Sequence, residues 1–387
     1  MFKAFKYRLY PTKNQTQKLD WILDNCRILY NSCLLDRKHR YEQTGKGLTR
    51  IEQQKILVSD KKNIEFLNDI HSQVLQNVLL RVERAFQNFF RRVKTGEKPG
   101  YPRFKPDNRY DSFCYPQKGF EITDNGLKLS KIGTVKIKLH RQPTGKIKTC
   151  SIKKEIDKWY ACFSVEYEPI KKPIPDKTIG VDVGIKFFAV LSDGQAIENP
   201  KYLRASEGKL RVKQRQLSKK KKGSSNRKKA RTVVAKLHCK IRNQRSDFHH
   251  KLSRKLVNTY GFIVAEDLNI KGMVKNHHLA KSISDAGWGQ FLKYLEYKAA
   301  EAGIQFEKVA PHYTSIICSA CGERVPKTLA DRIHACPFCG IVLDRDHNAA
   351  INILNKSTAG TAGSNAWGEA VHQSPSPNQE APSLRTG

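Results

Sequence analysis

The sequence predicts an α/β protein of several domains, with a strand-rich and helical first half and a second half that carries a small metal-binding loop. Three observations predict this class. The chain has 387 residues, which is long for a single domain. Apolar residues alternate over short runs in some regions and recur every three or four residues in others. Two Cys-x-x-Cys pairs lie near the C-terminus.

The chain is strongly basic, with 71 Lys and Arg against 36 Asp and Glu and a formal net charge of +35. Such a surface attracts polyphosphate backbones and gains affinity by releasing their counterions, so nucleic acid is the expected partner. An anionic membrane surface or a merely solubilising charge is the alternative. Residues 1–13 lack the apolar core of a signal peptide, and no apolar run reaches the ~20 residues of a membrane span. We therefore expect a cytoplasmic protein with no membrane partner.

The first predicted element is a strand over residues 2–9, in which aromatic or apolar residues alternate with Lys and Arg. Pro11 ends this strand, and the spacing of Thr12 and Gln15 is typical of a capping box at the start of a helix. Apolar residues at helical spacing then form one stripe: Leu19, Ile22, Leu23, Cys26, Leu29, Tyr30, Cys33 and Leu34. A second helical run is predicted over residues 65–93.

Gly, Pro and Lys dominate residues 96–106 and prevent a helix there. The short alternating runs at 134–139, 149–153 and 159–167 predict a small antiparallel barrel or sheet, which the N-terminal strand can complete. We therefore expect a small β-barrel domain from residues 1–14 and 96–175, with a helical segment at 15–95. Pro173 and Pro175 mark the linker to the second half.

The second half begins with three predicted strands, at residues 178–184, 187–191 and 195–198. Residues 209–255 then contain 19 Lys and Arg and the single acid Asp247. Such a run of charges is usually a solvent-exposed face. Here apolar residues at helical spacing occur among the charged ones, which favours helices whose outer face follows a phosphate backbone. The predicted nucleic-acid contacts are Lys219, Lys220, Lys221, Lys222, Arg227, Lys228, Lys229 and Arg231.

Candidate acids occur at three places in the chain, each at or near the end of a predicted element. Asp182 lies within an apolar strand, Glu266 lies at the carboxylate end of the buried strand predicted over residues 262–268, and Asp344 and Asp346 lie at the start of a helix. Each acid taken singly has a structural reading as a turn residue, a strand end or a helix cap. If the strands are neighbours, the carboxylates instead converge on a site for two Mg²⁺ or Mn²⁺ ions, which suits phosphodiester hydrolysis. A further helix is predicted over residues 288–302.

Four cysteines have the spacing of a structural zinc site. Cys318 and Cys321 form one Cys-x-x-Cys pair, and Cys336 and Cys339 form the other after 14 intervening residues. Two such pairs can close a tetrahedron of thiolates around Zn²⁺. Because all four positions are cysteine, no coordination site remains open, and we expect the zinc to hold a short loop rather than to catalyse.

These motifs together resemble the TnpB (OrfB) family of hairpin-ended insertion sequences, which are relatives of the type V CRISPR effector nucleases. The likeness rests on residues 180–184 (GVDVG), 266–268 (EDL), the two cysteine pairs and residues 344–350 (DRDHNAA). It also includes residues 7–11 (YRLYP) and 100–105 (GYPRFK). It spans nearly the whole chain.

The resemblance implies an RNase H-like (RuvC-type) nuclease domain at residues 176–314 and 343–356, interrupted by a zinc ribbon at 315–342. It implies that Asp182, Glu266 and Asp346 bind the catalytic metals; Asp344 is the alternative third ligand, and the family pattern favours Asp346. It further implies a guide RNA from the transposon end, a double-stranded DNA target, no obligate protein partner, and a prokaryotic, nucleoid-associated location.

The expected function is therefore that of a metal-dependent, RNA-guided DNA endonuclease. Two alternatives remain: a transposase that performs strand transfer, and an RNA-guided DNA-binding repressor whose nuclease has decayed. Residues 357–387 are rich in Gly, Ser, Pro, Asn and Ala and are predicted to be a disordered tail.

Overall fold

The computed structural model describes residues 1–107, 109–169, 173–328 and 331–361. These residues form two compact units, the first from residues 1–169 and 219–236 and the second from residues 170–218 and 237 onward. Within the described residues, no helix is both long enough and apolar enough to cross a membrane. The predicted domain boundaries of the sequence remain predictions.

The first unit begins with the predicted strand and capped helix. Strand β1 covers Phe2–Tyr10 and helix α1 covers Lys13–Thr44, and Thr12 and Gln15 form both hydrogen bonds of the predicted capping box. Helix α2 covers Arg50–Asn63. The predicted run over 65–93 is divided: a 3₁₀ turn at Glu65–Asp69 precedes α3, Ser72–Lys94. Ile70, between the two, is buried and has extended backbone dihedrals, which interrupts the helix.

A seven-stranded antiparallel sheet completes this unit. Its remaining strands are β2 (Ser112–Tyr115), β3 (Phe120–Thr123), β4 (Gly126–Leu129), β5 (Gly133–Lys138), β6 (Lys146–Glu155) and β7 (Lys158–Glu166). The order is β2-β6-β7-β1-β5-β4-β3, so the N-terminal strand joins this sheet, as expected, and lies in its middle. In the described residues no ladder joins the edge strands β2 and β3, and closure into a barrel remains a prediction. The three short strands β2 to β4 were not predicted.

The second unit contains a five-stranded mixed sheet, ordered β10-β9-β8-β11-β12. The strands are β8 (Thr178–Val183), β9 (Phe187–Leu191), β10 (Ala196–Glu198), β11 (Phe262–Glu266) and β12 (Gln305–Val309). Strands β8, β11 and β12 are parallel, whereas β9 and β10 run antiparallel to their neighbours. The predicted strands at 178–184, 187–191 and 195–198 are confirmed.

The second half of the chain also carries helices. They are α4 (Tyr202–Ser218), α5 (Ser225–Thr259), α6 (Ile270–Met273), α7 (His277–Ala286), α8 (Trp288–Ala302) and α9 (Arg345–Thr361). Helix α8 has the predicted bounds. The core on one face of the sheet joins Val181 and Ala265 to Phe291 of α8, and the other face packs Val264 against Ile353 of α9. Helix α9 includes residues 357–361, which the sequence assigned to the tail; residues 362–387 lie outside the described residues.

A short hairpin joins β12 to α9. Its strands β13 (Ile333–Ala335) and β14 (Val342–Asp344) pair antiparallel within the region that carries the four cysteines. Asp344 therefore ends a strand directly before the last helix.

Candidate active site and zinc centre

Asp182 and Glu266 lie side by side at the carboxyl ends of two parallel strands. The register pairs Val181 of β8 with Ala265 of β11, so the residues that follow each of them are neighbours. Side chains alternate along a strand, and Val181 and Ala265 belong to the core that contains α8. Asp182 and Glu266 therefore both face the opposite side of the sheet, which α9 covers.

Asp346 reaches the same place from the first turn of α9. Its Oδ2 lies 4.0 Å from the position that a Cβ would occupy on Gly184, two residues beyond Asp182. One turn further along, the carbonyl oxygen of Ala350 lies 2.1 Å from the Cβ position of Gly180. The helix therefore runs antiparallel to β8 and presents its N-terminal acid to the carboxyl end of that strand.

The three acids share an electrostatic environment that disfavours their charged forms. Burial raises the pKa of Asp182 well above its usual value, and the negative charges of Glu266 and Asp346 raise it further. Burial likewise raises the pKa of Glu266 and of Asp346. Among the described residues, no Lys or Arg forms an ion pair with any of the three. Nearby cations oppose this effect only in part: Arg345 lowers the pKa of Asp182 and of Asp346, and Lys356 lowers that of Glu266. Partly buried carboxylates that form no ion pair are a donor set suited to hard divalent cations.

The structure distinguishes the two candidates for the third acid. Asp344 Oδ1 accepts a 2.8 Å hydrogen bond from the backbone N–H of Asp346, so Asp344 acts as the cap of α9. No such bond occupies the carboxylate of Asp346 in the described residues. The two acids thus differ in their contacts, and which of them binds a metal remains a prediction.

A metal ion can be held by three or more His, Cys, Asp or Glu ligand atoms that all lie within 4.8 Å of one another. Among the described residues, only the four cysteines meet this condition. The three acids are therefore not arranged around a single ion. Ligands that share two ions need not meet this spacing, because the two metals themselves lie about 3.5–4 Å apart.

The four cysteines have the geometry of a thiolate tetrahedron. Sγ of Cys318 lies 3.6 Å from Sγ of Cys339, and Sγ of Cys321 lies 3.6 Å from Sγ of Cys336. Zinc–sulfur bonds of about 2.3 Å place tetrahedral ligands about 3.8 Å apart, so the cluster fits Zn²⁺.

Each cysteine pair is closed by a turn that ends at the glycine directly after it. The N–H groups of Gly322 and Gly340 donate to the carbonyls of Cys318 and Cys336, each at 3.0 Å. Both glycines have left-handed backbone dihedrals, with φ of 82° and 77°. A side chain at either position would strain the turn that sets the spacing of the sulfur atoms.

Three buried polar residues that the sequence analysis missed join the acids to the cysteine region. Thr314 donates a 2.6 Å hydrogen bond to Oε1 of Glu266. Asn352 of α9 donates to the carbonyls of Thr314 and Ile317, and Asn348 bonds the backbone of Ile317 and Ser319. The sequence carried one signal for these contacts: two asparagines lie four residues apart in an otherwise apolar helix stripe. Buried amides require hydrogen-bond partners, so this spacing indicates a polar contact beside the helix.

The predicted nucleic-acid residues lie between α4 and the first turns of α5. Seven are exposed: Lys219, Lys220, Lys221, Lys222, Lys228, Lys229 and Arg231. Arg227 differs, since it is half-buried and donates to the carbonyl of Lys220 at 2.8 Å, which holds the turn before α5. The exposed set is compatible with phosphate contacts, whereas Arg227 has a structural partner.

Comparisons with known proteins agree with this architecture. Three family models match: the IS605 OrfB model described as "Probable transposase" at residues 162–277, "Cas12f1-like, TNB domain" at 288–353, and "Helix-turn-helix domain" at 1–46. A relative from Streptomyces pristinaespiralis named "Putative RNA-guided DNA endonuclease" is 35% identical over 93% of this chain and 90% of its own length. The chain belongs to the OrfB (TnpB) family. A second family member, InsQ of Escherichia coli K12, bears the same description and is 32% identical over 91% of each chain.

A solved structure extends the family likeness to the fold. The Cas12f1 chain of a Cas12f1–sgRNA–target DNA complex has a TM-score of 0.58 and 14% identity to this OrfB protein, with 92% of this chain and 99% of that chain covered. At this level of identity the similarity concerns the fold. The α/β multidomain class expected from the sequence is thereby confirmed.

Proposed function

We propose that this chain is an RNA-guided DNA endonuclease that hydrolyses phosphodiester bonds with two divalent metal ions held by Asp182, Glu266 and Asp346. One observation carries the proposal: three acids distant in sequence lie on one face of the sheet, at the carboxyl ends of β8 and β11 and the first turn of α9. The names of the relatives support the reaction and the partners.

The proposed domain is RNase H-like, of the RuvC type. A mixed five-stranded sheet with helices on both faces, and acids beside its central strand, supports this assignment. The zinc ribbon interrupts the domain before α9, and the asparagine contacts of Asn348 and Asn352 fasten the ribbon to the helix that carries Asp346. We therefore assign the zinc a structural role.

Two residues beside the three acids, Thr314 and Asp344, help to prepare the site for cations. When bound, Mg²⁺ or Mn²⁺ would activate a water molecule and stabilise the leaving oxygen. The hydroxyl of Thr314 fixes one oxygen of Glu266 and lowers the pKa of that carboxyl, which opposes the effect of burial. Asp344 caps α9 and thereby leaves the carboxylate of Asp346 available.

The guide RNA is proposed to derive from the transposon end, and the target to be double-stranded DNA. In such a complex, base pairing reads the sequence while the protein binds the backbone and shape of the heteroduplex. The net charge of +35 and the exposed lysines at 219–222 supply the cationic surface. We propose that the chain acts without an obligate protein partner.

The test uses the protein purified with its co-expressed RNA and a matched DNA duplex in Mg²⁺. Wild type should cleave, and Asp182→Ala should lose cleavage while it retains the RNA. Glu198→Ala removes an exposed carboxylate of the same sheet and serves as the matched control, with unchanged cleavage expected. Cleavage by Asp182→Ala at the wild-type rate would overturn the metal assignment.

Strand transfer is the second candidate, because the matching family model is described as a transposase. The same assay separates the two reactions through their products. Free 5′-phosphate and 3′-hydroxyl ends indicate hydrolysis, whereas covalent joining of labelled transposon ends indicates transfer. Target binding without either product would favour the repressor alternative.

A further inference from the structure

A cluster of four aromatic rings lies at the end of α3 in the first unit. The cluster, here called the aromatic patch, consists of Phe86, Phe89, Phe90 and Tyr101. The ring of Tyr101 lies edge-on to those of Phe86 and Phe89, with centroids 5.7 and 5.5 Å apart, and Phe89 lies 5.2 Å from Phe90. The loop after α3 thus folds back onto the last turns of the helix. Phe90 is 55% exposed and Tyr101 is 47% exposed.

The patch extends beyond the hydrophobic core of its unit. The fully buried residues of α3 end at Val82, one turn before the first ring of the patch. The inner side of Phe86 contacts Arg37, whose guanidinium lies 5.1 Å from the ring centroid. Arg37 is itself buried and is held by Gln53 and Glu83 at 2.8 and 2.7 Å. Arg37 therefore supports the buried side of the patch, whereas Phe90 and Tyr101 are exposed to solvent.

The surroundings of the patch are cationic. Residues 84–105 contain seven Lys and Arg and the single acid Glu97. The nearby carboxylates already have cationic partners, in the pairs Arg37–Glu83, Lys38–Glu42 and Arg91–Glu97. Additional exposed cations in this stretch are Arg84, Lys94, Lys98 and Arg103.

Aromatic faces among cations fit one class of ligand best. Unstacked nucleobases pack on aromatic rings while their phosphates contact Lys and Arg, and the binding tolerates many sequences because every base has a π-face. A duplex does not offer free base faces, so the occupant must be unpaired. Loops, bulges and single-stranded ends of folded RNA are the usual source of such bases.

We propose that the aromatic patch is a stacking platform for unpaired bases of RNA, with Phe90 and Tyr101 as the contacting rings and the cations of residues 84–105 as phosphate contacts. The proposal needs an RNA partner and does not depend on the acids of the second unit. It can therefore hold or fail separately from the proposed nuclease function.

The experiment measures binding of fluorescent oligonucleotides to the full chain by anisotropy, without added divalent ions. The probes are an unstructured RNA of about 12 nucleotides, the corresponding RNA duplex, and single-stranded DNA of the same sequence. Phe90→Ala should weaken single-stranded RNA binding by about 5- to 150-fold, the range that one lost stacking contact gives. Binding of the duplex should change less than about twofold, because its bases are already stacked.

Three further variants separate stacking from other effects. Phe90→Tyr keeps a ring and should retain wild-type binding. Phe2→Ala removes a ring of the same unit that is 67% exposed and lies outside the patch, and it should change no probe. Lys98→Ala should weaken single strand and duplex alike and reduce the salt dependence of both.

The proposal is overturned if Phe90→Ala binds single-stranded RNA as wild type does, or if it loses the duplex to the same extent. A greater effect on single-stranded DNA than on RNA would also overturn the assigned occupant. So would a change of oligomeric state with unchanged RNA binding, because the patch would then be a contact between copies of the chain. Phe90 is exposed, and a matching circular dichroism melt verifies that the variant is folded.

Discussion

Gly180→Ala tests the packing that brings Asp346 to the other acids. A Cβ at residue 180 would lie 2.1 Å from the carbonyl oxygen of Ala350 and 3.0 Å from Cβ of Leu354. Carbon–oxygen contacts are normally about 3.3–3.6 Å, so α9 must move away from β8 by about 1 Å or more. The backbone of Gly180 does not have positive φ, so the cost arises from the steric conflict and not from the backbone conformation.

The expected magnitude follows from the size of the unit. Overpacking of this kind costs about 1–3 kcal/mol. For a unit of about 200 residues, each kcal/mol lowers Tm by about 2–4 °C, so a loss of 3 kcal/mol corresponds to about 6–12 °C. A displacement of about 1 Å at a reacting centre can lower the rate by about 100-fold, and cleavage should fall more than stability alone explains.

Gly208→Ala is the matched control because it makes the same chemical change with the opposite expectation. Gly208 lies within α4, and no heavy atom lies within 4 Å of its Cβ position. Alanine should stabilise this helix by about 1 kcal/mol. Both variants are compared with wild type by differential scanning calorimetry and by DNA cleavage. If Gly180→Ala melts at or above the wild-type temperature, the close approach of α9 to β8 is refuted.

The other predictions concern the acids and the zinc. Asp182→Asn should raise the stability of the metal-free protein at pH 8. Folding raises the pKa of Asp182, so the stability that its protonated carboxyl contributes is fully present below about pH 3.9 and is lost as pH rises through the folded-state pKa. Urea denaturation should therefore show the gain at pH 8 and none near pH 4, and Mn²⁺ should raise Tm of wild type but not of this variant. Thr314→Val removes the hydroxyl that lowers the pKa of Glu266, so the acidic limb of the cleavage profile should move to higher pH; an unmoved limb contradicts the positioning role. One Zn²⁺ per chain should be found by elemental analysis, and Cys336→Ser should lose it together with the stability of the ribbon; full zinc occupancy in this variant would exclude the four-cysteine site.

Local patterns predicted much of the fold. The capping box at Thr12 and the bounds of α8 follow from residues close in sequence, because caps and helical stripes are local properties. The division of the 65–93 run was not predicted, since apolar spacing continues across the break at Ile70. The short strands β2 to β4 have too few residues for a clear alternation, and pairing across the sheet stabilises them.

The sequence by itself determined the cationic character, the four cysteines proposed to bind zinc, and which acids were candidates for the metals. Only the tertiary structure placed Asp182 and Glu266 on one face, because their alignment depends on the register of two strands whose paired residues lie 84 positions apart. It also showed that the two acids before α9 differ in their contacts, since Asp344 accepts the hydrogen bond that caps the helix. Ligand spacing within a loop is a property of neighbours along the chain, whereas the meeting of distant carboxylates is decided by how strands pair and helices pack.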